Sequence, residues 1–213
     1  MTQRELYGAC EAFLREHIMG VELADLPMGE RAYRIEHSLR VARYARLIAM
    51  EEGLDETVCL LAGVLHDAGK FECEWNRDHG RVSAKIVRPF LGTLPVSEKT
   101  AEDIAYCVAS HCDGDAGYAY PPIPEAGAVW DADWVDRLGV YRVVQALHYD
   151  GFDEMSLEEK TAYCGRRRDK MAEYQARAMK TRTGEAMFRR ACEEQRRYFA
   201  LLAEELAFTL SPA

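Results

Sequence analysis

The chain has 213 residues, 48% hydrophobic and 30% charged, which is enough apolar material to fill a core and enough charge to cover it, so disorder is excluded. The apolar residues are spread evenly with no composition break, and residues 1–213 read as a single domain. The formal net charge of -9 repels a polyanion unless a basic face is segregated and so disfavours extended nucleic acid as a partner, whereas a divalent cation and two or three local Lys or Arg residues still admit a small phosphorylated ligand.

Residues Met1 to Glu16 carry both charge signs and lack the apolar run of a secretion signal. No stretch of about 18 uncharged apolar residues occurs that would span a bilayer. The sequence therefore predicts a cytoplasmic protein with no membrane partner; a homodimer is compatible with it. From Tyr33 to Met50 the residues His37, Val41, Tyr44, Ala45 and Ile48 recur at helical steps and form one buried face. Gly53 ends that helix and Asp55 caps the next, which runs through Val58, Leu61, Leu65 and His66, is apolar nearly all round, and is predicted to be central. Gly69 stops it. A polar loop, Phe71 to Arg77, leads to Asp78 as cap of a helix carrying Val82, Ile86, Val87 and Phe90, with Pro89 weakening its last turn. Ser97 caps a helix whose inner face is Ile104, Val108 and His111. Cys112 to Gly127, rich in Gly, Asp, Tyr and Pro, reads as irregular loop, and one helix is predicted from about Ala128 through Leu147. From Ser156 to Leu210 two or three helices follow, opened by the capping-box pair Ser156 and Glu159. The class is all-α. The seven cysteines, Cys10, Cys59, Cys73, Cys107, Cys112, Cys164 and Cys192, include no Cys-x-x-Cys pair and read mostly as buried thiols.

The chemistry concentrates in Leu65-His66-Asp67-Ala68-Gly69-Lys70. A carboxylate at the end of a buried helix is costly unless it is neutralised or paired with a cation, and a divalent metal is the strongest pairing available. On its own a His-Asp dipeptide is equally well read as a core histidine beside a helix-ending Asp. His37, His111 and the Asp131/Asp133 pair tip the balance, because all lie on or beside otherwise apolar helical faces that a bundle can bring to one point in its core. Imidazole with carboxylate suits Mn, Fe, Ni, Co or Zn rather than calcium, and the expected cofactor is a divalent ion of the set Mn, Fe, Ni, Co, Zn or Mg.

The order His37, then His66-Asp67, then an Asp within Trp130-Asp131-Ala132-Asp133-Trp134-Val135-Asp136 resembles the HD-domain metal-dependent phosphohydrolase superfamily. Glu36-His37-Ser38-Leu39-Arg40-Val41-Ala42 is similar to that family's first helix, and the likeness extends over about residues 30 to 140. It implies a metal site of His37, His66, Asp67 and Asp133. Periodicity would instead favour Asp131 as the inward carboxylate, and Asp136 is open between a surface ion pair and a functional role. The resemblance also assigns His79, in Asp78-His79-Gly80-Arg81, and His111 to either a second metal or the substrate phosphate. Cys112 stands where the HD-GYP cyclic-dinucleotide phosphodiesterases have a further His. Lys70 and Arg40 are placed to meet a phosphate, with helix-end and surface roles as alternatives. His17 and His148 read as structural.

Lys180 to Ala186, with Arg189, Arg190, Arg196, Arg197, Tyr198 and Phe199, resembles the C-terminal helices of small stand-alone bacterial HD hydrolases, some of which act on nucleoside triphosphates. A solvated basic helix face accounts for the same residues. The expected activity is hydrolysis of a phosphate ester or anhydride in a small substrate, a nucleotide above all, by metal-activated water, with Asp67, Lys70, His79 and His111 as catalytic groups. The rival readings are a two-metal cyclic-nucleotide-type phosphodiesterase, a di-iron oxygenase and a non-catalytic metal-binding sensor.

Overall fold

Caps and apolar spacing set most helix boundaries. In the computed structural model, which describes residues 1–23, 27–75 and 77–210, nine α-helices and one 3-10 turn are found and no strand among the described residues. The chain divides into two compact units, Met1–Asp133 and Trp134–Ala213.

The first unit opens with α1 (Gln3–Gly20), held at its start by a capping box between Thr2 and Glu5 and buried through Leu6, Cys10, Leu14 and Ile18. That strict four-residue spacing was available in the sequence. Helix α2 (Met28–Glu52) buries His37, Val41, Ala45 and Ile48 on the predicted face and ends at Gly53 in the left-handed conformation, with φ 69°. Asp55 accepts bonds from the Thr57 and Val58 amides to start α3 (Glu56–Leu65), and every residue from Val58 to Leu65 is buried. Helix α3 packs against α1, α2 and α5, which makes it the central helix its composition predicts.

The polar connection after Gly69 is irregular as expected, with Asn76 outside the described residues. Helices α4 (His79–Leu91) and α5 (Glu98–Ser110) pack on each other. Ser97 caps α5, its Oγ accepting from the Thr100 amide. Asp78 precedes α4, but its carboxylate makes no cap bond and accepts from Arg81 instead. Pro89 does not end α4 early, because its ring sits within the last turn and the helix continues to Leu91.

Two boundaries differ from expectation. Helix α6 (Pro124–Arg137) takes in the last four residues of the predicted irregular loop, with Pro at the first helical position, where a missing N–H costs nothing. The predicted helix over 128–147 is two helices, because the chain breaks at Leu138 and Gly139 and restarts as α7 (Val140–Tyr149).

In the second unit the Ser156–Glu159 capping box forms and opens α8 (Leu157–Tyr174), which packs along α9 (Arg182–Leu210), so the tail holds two helices and not three. Its core is Val143, Tyr163, Cys164 and Phe199, and the Tyr163 hydroxyl donates to Asp150 Oδ2 at 2.7 Å. Three of the α9 arginines are matched on their own helix, Arg189 with Glu185, Arg190 with Glu194 and Arg196 with Glu193. No helix among the described residues is long and apolar enough to cross a membrane.

Candidate metal centre

Five helices of the chain deliver side chains to one buried place. His37 comes from the middle of α2, His66 and Asp67 from the end of α3, His79 from the start of α4, His111 from the end of α5 and Asp133 from α6. All six are buried. The helices that bring them together touch backbone to backbone. A Cβ on Gly63 would stand 2.6 Å from Ala42 Cα, fixing how closely α3 approaches α2. A Cβ on Gly80 would stand 2.7 Å from the Ala109 carbonyl, fixing α4 on α5.

Two backbone carbonyls orient the imidazoles. His66 Nδ1 lies 2.8 Å from the Gly63 carbonyl and His111 Nδ1 lies 2.7 Å from the Val108 carbonyl. A carbonyl only accepts, so each Nδ1 carries a hydrogen, and in the neutral ring it is each Nε2 that turns a lone pair inward. His66 Nε2 is 3.2 Å from His37 Nε2, and His111 Nε2 is 3.0 Å from His79 Nε2. Asp67 sits between these pairs. Its Oδ2 is 3.5 Å from His37 Nε2 and 3.4 Å from His66 Nε2, and its Oδ1 is 3.0 Å from His79 Nε2 and 3.7 Å from His111 Nε2. Asp133 Oδ1 closes the first group at 3.2 Å from His37 Nε2.

The titration of these groups reflects a site built for positive charge. Burial alone would raise the Asp67 carboxyl, yet Arg34, His66 and the imidazoles of His111 and His37 hold it well below the usual carboxylate range. Burial pushes His66 down. Burial also opposes protonation of His111 and His79, but Asp67 and Cys112 outweigh it, taking His111 up to about 10 and raising His79. Desolvation lowers Lys70, whose Nζ is 3.4 Å from His79 Nδ1.

The donor set fits a divalent cation. His37, His66 and Asp133, and separately His66, Asp67 and His111, each offer three ligand atoms within 4.8 Å of one another. Asp67 Oδ1 is fully buried without a hydrogen bond, the condition of an oxygen that lacks its cation. The ends of α3 and α5, at His66 and His111, add the negative pole of two helices.

The sequence-derived residues thus converge, and the carboxylate grouped with His37 and His66 is Asp133; Asp131 is buried on the same helix and belongs to none of these groups. Asp136 is buried as well. Arg40 is half-buried with its guanidinium 5.9 Å from the Tyr33 ring, which in turn stacks on His37. His17 pairs with Glu72, tying α1 to the connection after α3, and His148 is exposed. Sequence reasoning missed two residues. Arg34, one turn before His37, is paired with Asp67 Oδ2 and its side chain is 17% exposed; its signal was the three-residue spacing to His37. Cys112, read as a vacant ligand position, has its Sγ 3.2 Å from His79 Nε2 and 3.5 Å from His111 Nε2. Burial opposes its ionisation, but those two histidines bring the thiol down to about 6. Five of the seven cysteines are buried; Cys73 and Cys112 are half-buried.

A helical protein whose core gathers histidines and carboxylates from successive helices is the class these features define. Residues 34–138 match the family model of the HD domain, and the chain belongs to that superfamily. Among curated proteins it is similar to ribonuclease Y 1 of Pediococcus pentosaceus, 31% identical over 106 residues, covering 46% of this chain and 19% of that protein. It is also similar to ribonuclease Y of Opitutus terrae, 36% identical over 63 residues, covering 29% of this chain and 12% of that protein. The chain thus spans less than a fifth of the length of either relative. Among solved structures, Bacillus subtilis YpgQ in complex with ADP shares the fold with a TM-score of 0.64 at 18% identity, covering 96% of this chain and 97% of that one. A predicted HD superfamily hydrolase from an uncultured Thermotogales bacterium does so with a TM-score of 0.61 at 18% identity, covering 98% of this chain and 92% of that one.

Proposed function

We propose that the chain is a divalent-metal-dependent phosphohydrolase acting on a small phosphorylated substrate, a nucleotide above all. The observation that carries this reading is the set His37, His66, Asp67 and Asp133, with His66 Nε2 turned toward the group and one carboxylate oxygen, Asp67 Oδ1, left without a hydrogen bond. A cation held there supplies Lewis-acid polarisation and a water acidic enough to attack near neutral pH. The chain's own groups do the rest. Asp67 presents one oxygen to each histidine pair and is the carboxylate placed to orient an attacking water. His79, His111 and Lys70 gather positive charge on its Oδ1 side, where phosphate oxygens develop charge during the reaction. The net charge of -9 favours a small substrate over a polyanion, and the ADP held by YpgQ is consistent with a nucleotide.

A second reading, a two-metal phosphodiesterase, is favoured by the His79–His111 contact beside Asp67 Oδ1. The ribonuclease Y relatives point toward phosphodiesters too. One experiment tests both. The protein is assayed with nucleotides, p-nitrophenyl phosphate and bis(p-nitrophenyl) phosphate under Mn, Mg, Ni, Co, Zn and Fe, with phosphate and pyrophosphate separated and bound metal counted. Monoester or anhydride turnover supports the first reading, and diester turnover with two bound metals supports the second. His66→Ala and Asp67→Ala should each lose metal and turnover; wild-type hydrolysis by either variant overturns the assignment.

A further inference from the structure

We infer that Cys112 is a thiolate ligand, so that the His79–His111 end of the centre is a sulfur-bearing metal position selective for borderline cations such as zinc, iron(II) or cobalt(II) over magnesium. The inference deepens the proposed metal centre and rests on it.

The geometry separates the donors into two groups. His37, His66 and Asp133 form one, and His79, His111 and Cys112 form another, each with its three ligand atoms within 4.8 Å of one another. Cys112 Sγ is 3.2 Å from His79 Nε2 and 3.5 Å from His111 Nε2, and those two nitrogens are 3.0 Å apart. The three atoms therefore form one face of a small polyhedron. A fourth donor is already aimed at it, since the buried Asp67 Oδ1 makes no hydrogen bond although His79 Nε2 is 3.0 Å away. Sulfur at this point follows from the fold. Cys112 is the first residue beyond His111 at the end of α5, and the missing side chain of Gly80 leaves room for Sγ, which lies 3.1 Å from where a Cβ there would stand. Two nitrogens, one carboxylate oxygen and one thiolate suit a tetrahedral borderline ion, whereas magnesium prefers six oxygen ligands. Binding displaces the thiol proton to solvent and involves no redox step.

Cobalt(II) titration of the metal-stripped full chain tests this, because visible d–d absorption reports cobalt binding and a near-ultraviolet band reports sulfur-to-cobalt charge transfer. The expected result is two equivalents of cobalt with a charge-transfer band that Cys112→Ser abolishes, leaving one equivalent, and that Cys73→Ser leaves intact. On the unmodified protein, cobalt should slow iodoacetamide labelling of Cys112, read by peptide mass spectrometry, at least tenfold. That measurement decides the case if the serine variant fails to fold. Cobalt bound without the band, or with a band and labelling rate indifferent to Cys112, overturns the inference and leaves the His37–His66–Asp133 centre standing. No bound cobalt at all overturns both.

Discussion

Arg34 and Asp67 show what decides the centre at the scale of one residue. A carboxylate buried among imidazoles cannot stay ionised without a cation, and in the metal-free chain the Arg34 guanidinium is the foremost group that keeps Asp67 charged. Replacing Arg34 by Met leaves that charge uncompensated and should cost about 3 kcal/mol in metal-free protein. The loss should be smaller with manganese bound, since the ion takes over the compensation; equal losses in the two states, by denaturant unfolding, count against the pairing. The acid limb follows from the same shift. Because the folded carboxyl lies well below its ordinary value, its contribution is complete above a pH of about 4 and disappears as the pH falls toward the folded value. Arg34→Met should therefore move the acid-unfolding midpoint of the metal-free protein upward. Most of the clustered histidines and carboxylates were legible because a His or Asp amid apolar residues stands out. Arg34 was not, since arginines at helical spacing normally coat surfaces, and Cys112 was not, since it stood out only as the departure from a His in the related phosphodiesterases.

At the scale of helices, the centre depends on how closely its supports approach. Gly63 has two tasks, giving its carbonyl to His66 Nδ1 and letting α3 rest on the α2 backbone at Ala42. Gly63→Ala forces a methyl group against backbone atoms that cannot rotate away, which should destabilise the chain by roughly 1–3 kcal/mol. It should also displace His66 from His37 and weaken metal affinity. Thermal unfolding and metal titration check the two effects separately, and unchanged affinity would show that the α2–α3 approach does not position the histidine pair. Helix placement itself was largely readable, since Gly53, Asp55, Ser97 and Ser156 end or start helices where their chemistry requires. The start of α6 was not, because Pro124 follows a Pro- and Gly-rich run and serves equally as loop residue or first helical residue. Periodicity does not decide between Asp131 and Asp133 for a related reason. Ala128, Val129, Asp131, Ala132, Asp133, Val135 and Asp136 are all buried, so α6 has no single inward stripe to count from.

For the whole molecule, the helical spacing of apolar residues predicts an all-α chain, which the helices bear out, and their even spread predicts a single domain, a cooperative property that calorimetry can test. The donor atoms of the centre all belong to Met1–Asp133, while Trp134–Ala213 is compact in its own right. A cation that binds only the folded state stabilises it by about 2.7 kcal/mol at a free concentration one hundred times its Kd. For a cooperative chain of this length that is a rise in Tm of roughly 5–10 °C. Stripping the metal with a chelator should reverse the rise, and His66→Ala should abolish it while keeping the metal-free baseline within reach of comparison. A single endotherm that shifts as a whole supports one cooperative domain. Two endotherms of which one responds to metal would mean that Met1–Asp133 unfolds by itself, with the centre intact and the single-domain reading overturned. An unchanged endotherm in saturating manganese, cobalt and zinc would remove the metal centre itself, because a buried carboxylate surrounded by imidazole lone pairs cannot take up a divalent ion without gaining stability.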